Sequence, residues 1–214
     1  MTTAYHRNVK KSNKCSINKF VIERSEGAFP PTTEVTGVLA PNLMKLTTKQ
    51  LTLCAVLTAM ALALSYVENF FPLSLAIPIP GIKLGLANIV TVFALYVLGP
   101  VQAILILLAR CLLGAVFAGN MSALIFSLLG GVTAMLVMIL LSRWKKLSIY
   151  GVSMGGAAAH NCGQVAAAIL TLGNTAPLYY LPILLGVSLF TGALTGLIAA
   201  CLFQALSHTD LVKG

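Results

Sequence analysis

Beyond residue 44 the chain alternates long apolar runs with short polar or Gly/Pro breaks. The runs cover 47–67, 84–98, 101–118, 121–141, 150–172 and 181–206. Most are long enough for a helix to cross a hydrocarbon core of about 30 Å. The pattern predicts an all-α integral membrane protein with six transmembrane helices. The second run is the shortest, and Gly99-Pro100 separates it from the third. Glycine ends a helix and proline starts one, so this pair predicts a tight hairpin.

The breaks set the expected orientation. The segment 142–146, "SRWKK", and the basic flank of the first run belong on the cytoplasmic side by the positive-inside rule. An even number of spans then places both termini on the cytoplasmic side of the membrane, with the linkers 68–83, 117–122 and 172–180 outside. The first linker carries Pro72, Pro78 and Pro80 in apolar surroundings and cannot be a regular helix. Irregular backbone at membrane depth needs protein or a water-filled cavity beside it. The expectation is an irregular loop between the first two helices, either interfacial or folded back as a lid over an outward-facing pocket.

Residues 1–44 are basic, rich in Ser, Thr and Asn, and show no hydrophobic period, so they read as a disordered extension. The context at Met44, "MKLTTKQLTLCAVL", looks like a fresh start. The transmembrane domain is expected over 45–207 and a short cytoplasmic tail over 208–214.

Composition agrees with a membrane protein: 58% of the 214 residues are hydrophobic and 9% are charged. The formal charge of +9 does not point to nucleic acid. Seven of the fourteen Lys and Arg precede the first apolar run and Lys49 lies at its start, where they face the cytosol or an anionic leaflet. The five cysteines, at 15, 54, 111, 162 and 201, show neither CxxC spacing nor a Cys/His cluster. They suggest small hydrophobes rather than a disulfide framework or a zinc site.

A few polar residues break the apolar runs. Arg110 falls ten residues beyond Pro100, about 15 Å along a helix, which places it near mid-membrane. The one acid between Thr47 and Gln204 is Glu68. Arg110 therefore either pairs with Glu68 or carbonyl oxygens, or meets an anionic ligand. In the fifth run His160 and Gln164 stand one helical turn apart on one face, with Asn161 about 100° round. These groups are costly in lipid unless they bond one another or a ligand. Ser122 and Phe126 share a face of the fourth run with Gly130, a stripe that suits packing, although Phe126 could stack on a flat ligand. Lys83 and Asn88 flank the start of the second run, at a pocket mouth or a headgroup boundary. Ala55, Ala59 and Ala63 repeat every fourth residue on the first run, and Gly192 and Gly196 form GxxxG on the sixth. Both stripes allow close approach of another helix, within the chain or from a partner.

Several chemistries find no residues. There is no P-loop, GxSxG, HExxH or Asp-rich motif, and Asp210 is the single aspartate. No cofactor or metal is expected, and no enzymatic activity.

The stretches "PGIKLGLANIVTVFALYVLG", "ARCLLGAVFAGNMSALIFSLLGG" and "GVSMGGAAAHNCGQVAAAIL" resemble the bacterial Gx transporter family, also called heptaprenyl diphosphate synthase component I. The resemblance covers about 45–206. That family is similar in turn to the substrate-binding S components of energy-coupling factor transporters. The resemblance implies a six-helix protein that binds a vitamin or precursor near the outer face, beneath the loop between its first two helices. It also implies that the alanine stripe Ala55, Ala59 and Ala63 docks on an ATPase-driven module. Prenyl diphosphate synthases hold magnesium with Asp-rich motifs, which this chain lacks, so a catalytic subunit is not expected.

Together these observations lead to a membrane subunit that binds and translocates a small anionic, vitamin-like or isoprenoid-related molecule. Arg110 and Lys83 would supply charge. Asn88, His160, Asn161 and Gln164 would supply directional hydrogen bonds, with Phe126 and Ser122 beside them. A non-catalytic membrane scaffold for a prenyl diphosphate or quinone-synthesis enzyme is the first alternative. A stand-alone secondary transporter is the second, weakened by the scarcity of intramembrane acids and of any visible inverted repeat.

Overall fold

The structure, a computed structural model, describes residues 48–68, 85–144 and 147–206, with side chains to residue 202. The expected disordered extension, the proline-rich linker with Lys83, and the tail lie outside these residues. Among the described residues six α-helices follow one another: α1 (Thr48–Glu68), α2 (Asn88–Val97), α3 (Pro100–Ala118), α4 (Met121–Ser142), α5 (Ile149–Leu172) and α6 (Leu181–Leu206). A short 3-10 turn, Ala176–Tyr180, leads into α6. No strand occurs among the described residues. The chain is an all-α, multi-pass membrane bundle, as its hydrophobic pattern implies.

The breaks between helices have local causes. Gly99 sits at φ 103°, and Pro100 opens α3, which makes the expected hairpin. Proline at this position loses only an N–H that would find no partner inside the helix. Asn120 caps α4 by accepting the Ser122 N–H at 2.9 Å, and Ser148 caps α5 by accepting the Gly151 N–H at 3.4 Å.

Among the described residues four helical segments are long and apolar enough to cross a membrane unaided: 48–68, 100–118, 121–142 and 176–202. The other two helices depend on protein around them. α5 has the length, but His160, Asn161 and Gln164 lower its hydropathy. It is packed between α4 and α6, which removes those groups from lipid. The second helix is shorter than the apolar run that predicts it, because Gly85 takes φ 84° and helix begins only at Asn88. Its ten residues rise about 15 Å, half a hydrocarbon core. Nine of those ten are buried, and α2 touches each of the other five helices. A half-length helix is thus held in the interior of the bundle, with its N-terminus well inside the structure.

The main core gathers Leu57 and Ala61 of α1, most of α2, Ile106 and Leu107 of α3, Met135 and Met138 of α4, and Val152 of α5. Glycines set the tightest approaches. A β-carbon on Gly163 of α5 would stand 2.6 Å from the Leu129 carbonyl oxygen of α4. At the same seam Thr133 Oγ lies 2.7 Å from the Leu129 oxygen and 3.1 Å from the Ala159 oxygen, joining the two helices. The GxxxG pair of α6 serves internal packing: a β-carbon on Gly192 would stand 2.6 Å from Met154 Cα, and one on Gly196 3.1 Å from Tyr150 Cα. Ala55, Ala59 and Ala63 are exposed, turned away from the bundle.

Candidate functional site

The buried polar groups of α1, α2, α3 and α5 converge on the glycines of α4 and on the turn before α2. Arg110 of α3 is 6% exposed. Its Nη1 donates to Ser65 Oγ of α1 over a long 3.5 Å. Its Nε and Nη2 have no hydrogen-bond partner among the described residues. Glu68 at the end of α1 is buried and lies within electrostatic reach of the guanidinium. Glu68 Oε1 accepts a close hydrogen bond from the Gly85 N–H, which fastens α1 to the entrance of α2. Arg110's own hydrogen bond thus goes to Ser65 rather than to the acid that sequence reasoning offered.

Gly85 is the hinge of this arrangement. A β-carbon there would stand 3.2 Å from Asn88 Nδ2 and 3.3 Å from His160 Cδ2. The positive φ also strains any residue with a side chain. Asn88 opens α2, is 4% exposed, and its Oδ1 has no partner among the described residues. His160 and Gln164 are likewise buried and lie against α4. A β-carbon on Gly130 would meet His160 Cε1 at 2.9 Å and Gln164 Cγ at 3.0 Å. One on Gly131 would stand 3.6 Å from Arg110 Nη2. The adjacent glycines of α4 therefore admit the imidazole against Gly130 and the Leu107 side chain against Gly131, where an added β-carbon would stand 2.6 Å from Leu107 Cδ1, with the guanidinium a little farther off.

The remaining predicted residues sit apart from this cluster. Asn161 points to α6, where its Nδ2 donates to the Leu184 carbonyl at 2.8 Å. Phe126 is 4% exposed and packs with Val165, Ala168 and Leu184 in a second apolar core, the packing role its stripe suggested. Ser122 is exposed in the first turn of α4. Lys83 lies outside the described residues. Ser65, Gly85, Gly130 and Gly131 belong to the cluster and were not singled out for it in the sequence. Serine in an apolar helix and glycine in a membrane span are both common, and only the fold shows what stands opposite them.

No three His, Cys, Asp or Glu side chains come together to hold a metal among the described residues. Among the described residues the cluster offers one guanidinium with two unpartnered nitrogens, a helix N-terminus, an imidazole and two carboxamides, all buried in the bundle. Such a set can recognise a small polar molecule.

Fold and site together define a multi-pass membrane protein with a polar cluster buried among its helices. The family described as heptaprenyl diphosphate synthase component I matches residues 57–202, which takes in nearly the whole bundle. The chain belongs to that family, whose name denotes one part of a multi-component system. No curated protein and no solved structure matches it.

Proposed function

We propose that the chain is the membrane subunit that binds and carries a small, anionic, vitamin-like or isoprenoid-related molecule, with energy supplied by a separate ATPase module. The observation that carries this reading is Arg110. A cation near the middle of a spanning helix costs at least about 2.5 kcal/mol on insertion scales. Two of its three guanidinium nitrogens lack a partner among the described residues. A purely structural arginine would be expected to fill those donors, because a buried unpaired charge is strongly destabilising. An anionic ligand group would fill them. Asn88 and His160 stand close by to orient the rest of the molecule.

The exposed alanines at 55, 59 and 63 favour docking of a further helix on α1. In this reading that helix belongs to the energising module. In this reading the chain is not an enzyme: its sequence has no Asp-rich motif of the kind that holds magnesium on a diphosphate. The scaffold reading has one observation in its favour, since the family name places the chain beside a prenyl diphosphate synthase.

Purification of the full chain from its own membranes in mild detergent, followed by native mass spectrometry, separates the two. A co-purifying ATPase-containing module and a bound small molecule support transport. A soluble prenyl synthase bound to an empty subunit supports the scaffold and overturns the proposal.

A further inference from the structure

We infer that Ser65 and Arg110 form the head of this site, and that the group bound there is a two-oxygen oxyanion, a carboxylate or a phosphoryl group, held on the Nε/Nη2 edge of the guanidinium. The inference rests on the binding reading above and narrows its ligand.

A guanidinium has five N–H donors in a fixed plane. The Nε–H and one Nη2–H run parallel, at a spacing that matches two oxygens of one carboxylate or phosphate. In this protein Nη1 is the nitrogen turned to Ser65 on α1, at 3.5 Å. The two atoms left without partners among the described residues are Nε and Nη2, the members of that parallel edge. The open donors are therefore a matched pair. A halide or a lone carbonyl oxygen can engage such an edge only partly.

The surroundings agree. Near Nη2, α4 carries Gly131, over which the Leu107 side chain lies: a β-carbon added there would stand 2.6 Å from Leu107 Cδ1 and 3.6 Å from the nitrogen. α4 thus sends no side chain of its own at this residue toward the edge. Glu68 directs Oε1 to the Gly85 N–H. The N-terminus of α2, where buried Asn88 has an unpartnered Oδ1, brings the positive end of a helix dipole to the same cluster, and a dipole in this sense favours an anion. Ser65 is a positioning residue: it touches the guanidinium rather than the ligand, and decides which edge is turned inward.

The test uses the full-length protein in detergent and follows its thermal unfolding with sodium acetate, inorganic phosphate or sodium chloride at equal ionic strength. Acetate, phosphate or both should raise the midpoint above that in chloride. A rise with phosphate alone identifies a phosphoryl head, and a rise with acetate alone a carboxylate. Arg110→Lys should weaken the oxyanion effect about tenfold or more, because lysine keeps the charge and loses the planar fork. Ser65→Ala should keep the preference for oxyanions and need several-fold more of them. Should Arg110→Lys fail to fold, the chloride comparison on the unmodified protein and the Ser65→Ala titration decide. Equal midpoints in chloride and in both oxyanions, an undiminished oxyanion effect in Arg110→Lys, or no change in Ser65→Ala would overturn the inference. A neutral molecule found bound by native mass spectrometry, with no oxyanion effect, would overturn it while leaving the binding reading intact.

Discussion

Gly130 of α4 and His160 of α5 meet with no room between them: a β-carbon on the glycine would stand 2.9 Å from His160 Cε1 and 3.0 Å from Nδ1. The contact sets how far the imidazole reaches past α4 toward Gly85. Gly130→Ala should push the ring aside and weaken ligand binding more than it lowers stability. The stability loss should be about 1–3 kcal/mol, typical of an overpacked methyl. Binding to the purified variant, set beside its unfolding midpoint, checks this. Full affinity in the variant would mean that the ring position is immaterial.

Gly163 provides the contrast. Its missing β-carbon would run into the Leu129 carbonyl of α4 at 2.6 Å, and a backbone atom cannot swing away as a side chain can. Gly163→Ala should therefore act on folding first, costing about 1–3 kcal/mol or more, and should reduce the yield of folded protein. Unchanged thermal stability would show that α4 and α5 are less tightly seated than described.

Glu68 ties the end of α1 to the start of α2 through the Gly85 N–H. Removing the acceptor leaves a buried donor unpaired, at a cost of about 1–3 kcal/mol. Glu68→Ala should lower the unfolding midpoint clearly. Glu68→Gln, which keeps an acceptor oxygen, should lie between the alanine variant and the parent. Identical midpoints for parent and alanine variant would remove the tether from the picture.

Asn161 lies on the helix that carries His160 but bonds the Leu184 carbonyl of α6. Asn161→Ala should cost stability through the lost bond between α5 and α6, about 0.5–1.5 kcal/mol, before it alters any ligand contact. Thermal unfolding and ligand affinity measured on the same preparation separate the two effects. A loss of affinity with full stability would return Asn161 to the site.

Orientation is tested independently. If both termini are cytoplasmic, the exposed turn at Gly173, Asn174 and Thr175 faces outward. A cysteine placed at Asn174, in a background without the native thiols, should react with an impermeant reagent added to intact cells. Reaction only after the membrane is opened would reverse the topology.

Much of this architecture is legible in the hydrophobic pattern. Gly99-Pro100 is a local signal with a local outcome, and the hairpin falls where the pair predicts it. α2 is different. Its apolar run looks like a short span, yet Gly85 adopts a positive φ and delays the helix to Asn88, which no periodicity shows. The site divides in the same way. Arg110, Asn88, His160 and Gln164 stand out because a polar group in an apolar run is energetically conspicuous. Ser65 and the Gly130-Gly131 pair do not stand out, because their importance lies in what the fold sets against them. Asn161 is the converse case. It is as conspicuous as His160, but it stands about 100° round the helix and bonds a carbonyl of a different neighbour.

The most direct measurement is ligand occupancy by native mass spectrometry, on full-length parent and Arg110→Lys proteins purified identically. The expected result is a small anionic molecule released from the parent and missing from the variant, with both proteins folded. Equal occupancy in the two proteins, or a parent that is folded, stable and empty from every membrane source, would contradict it and leave Arg110 a structural residue.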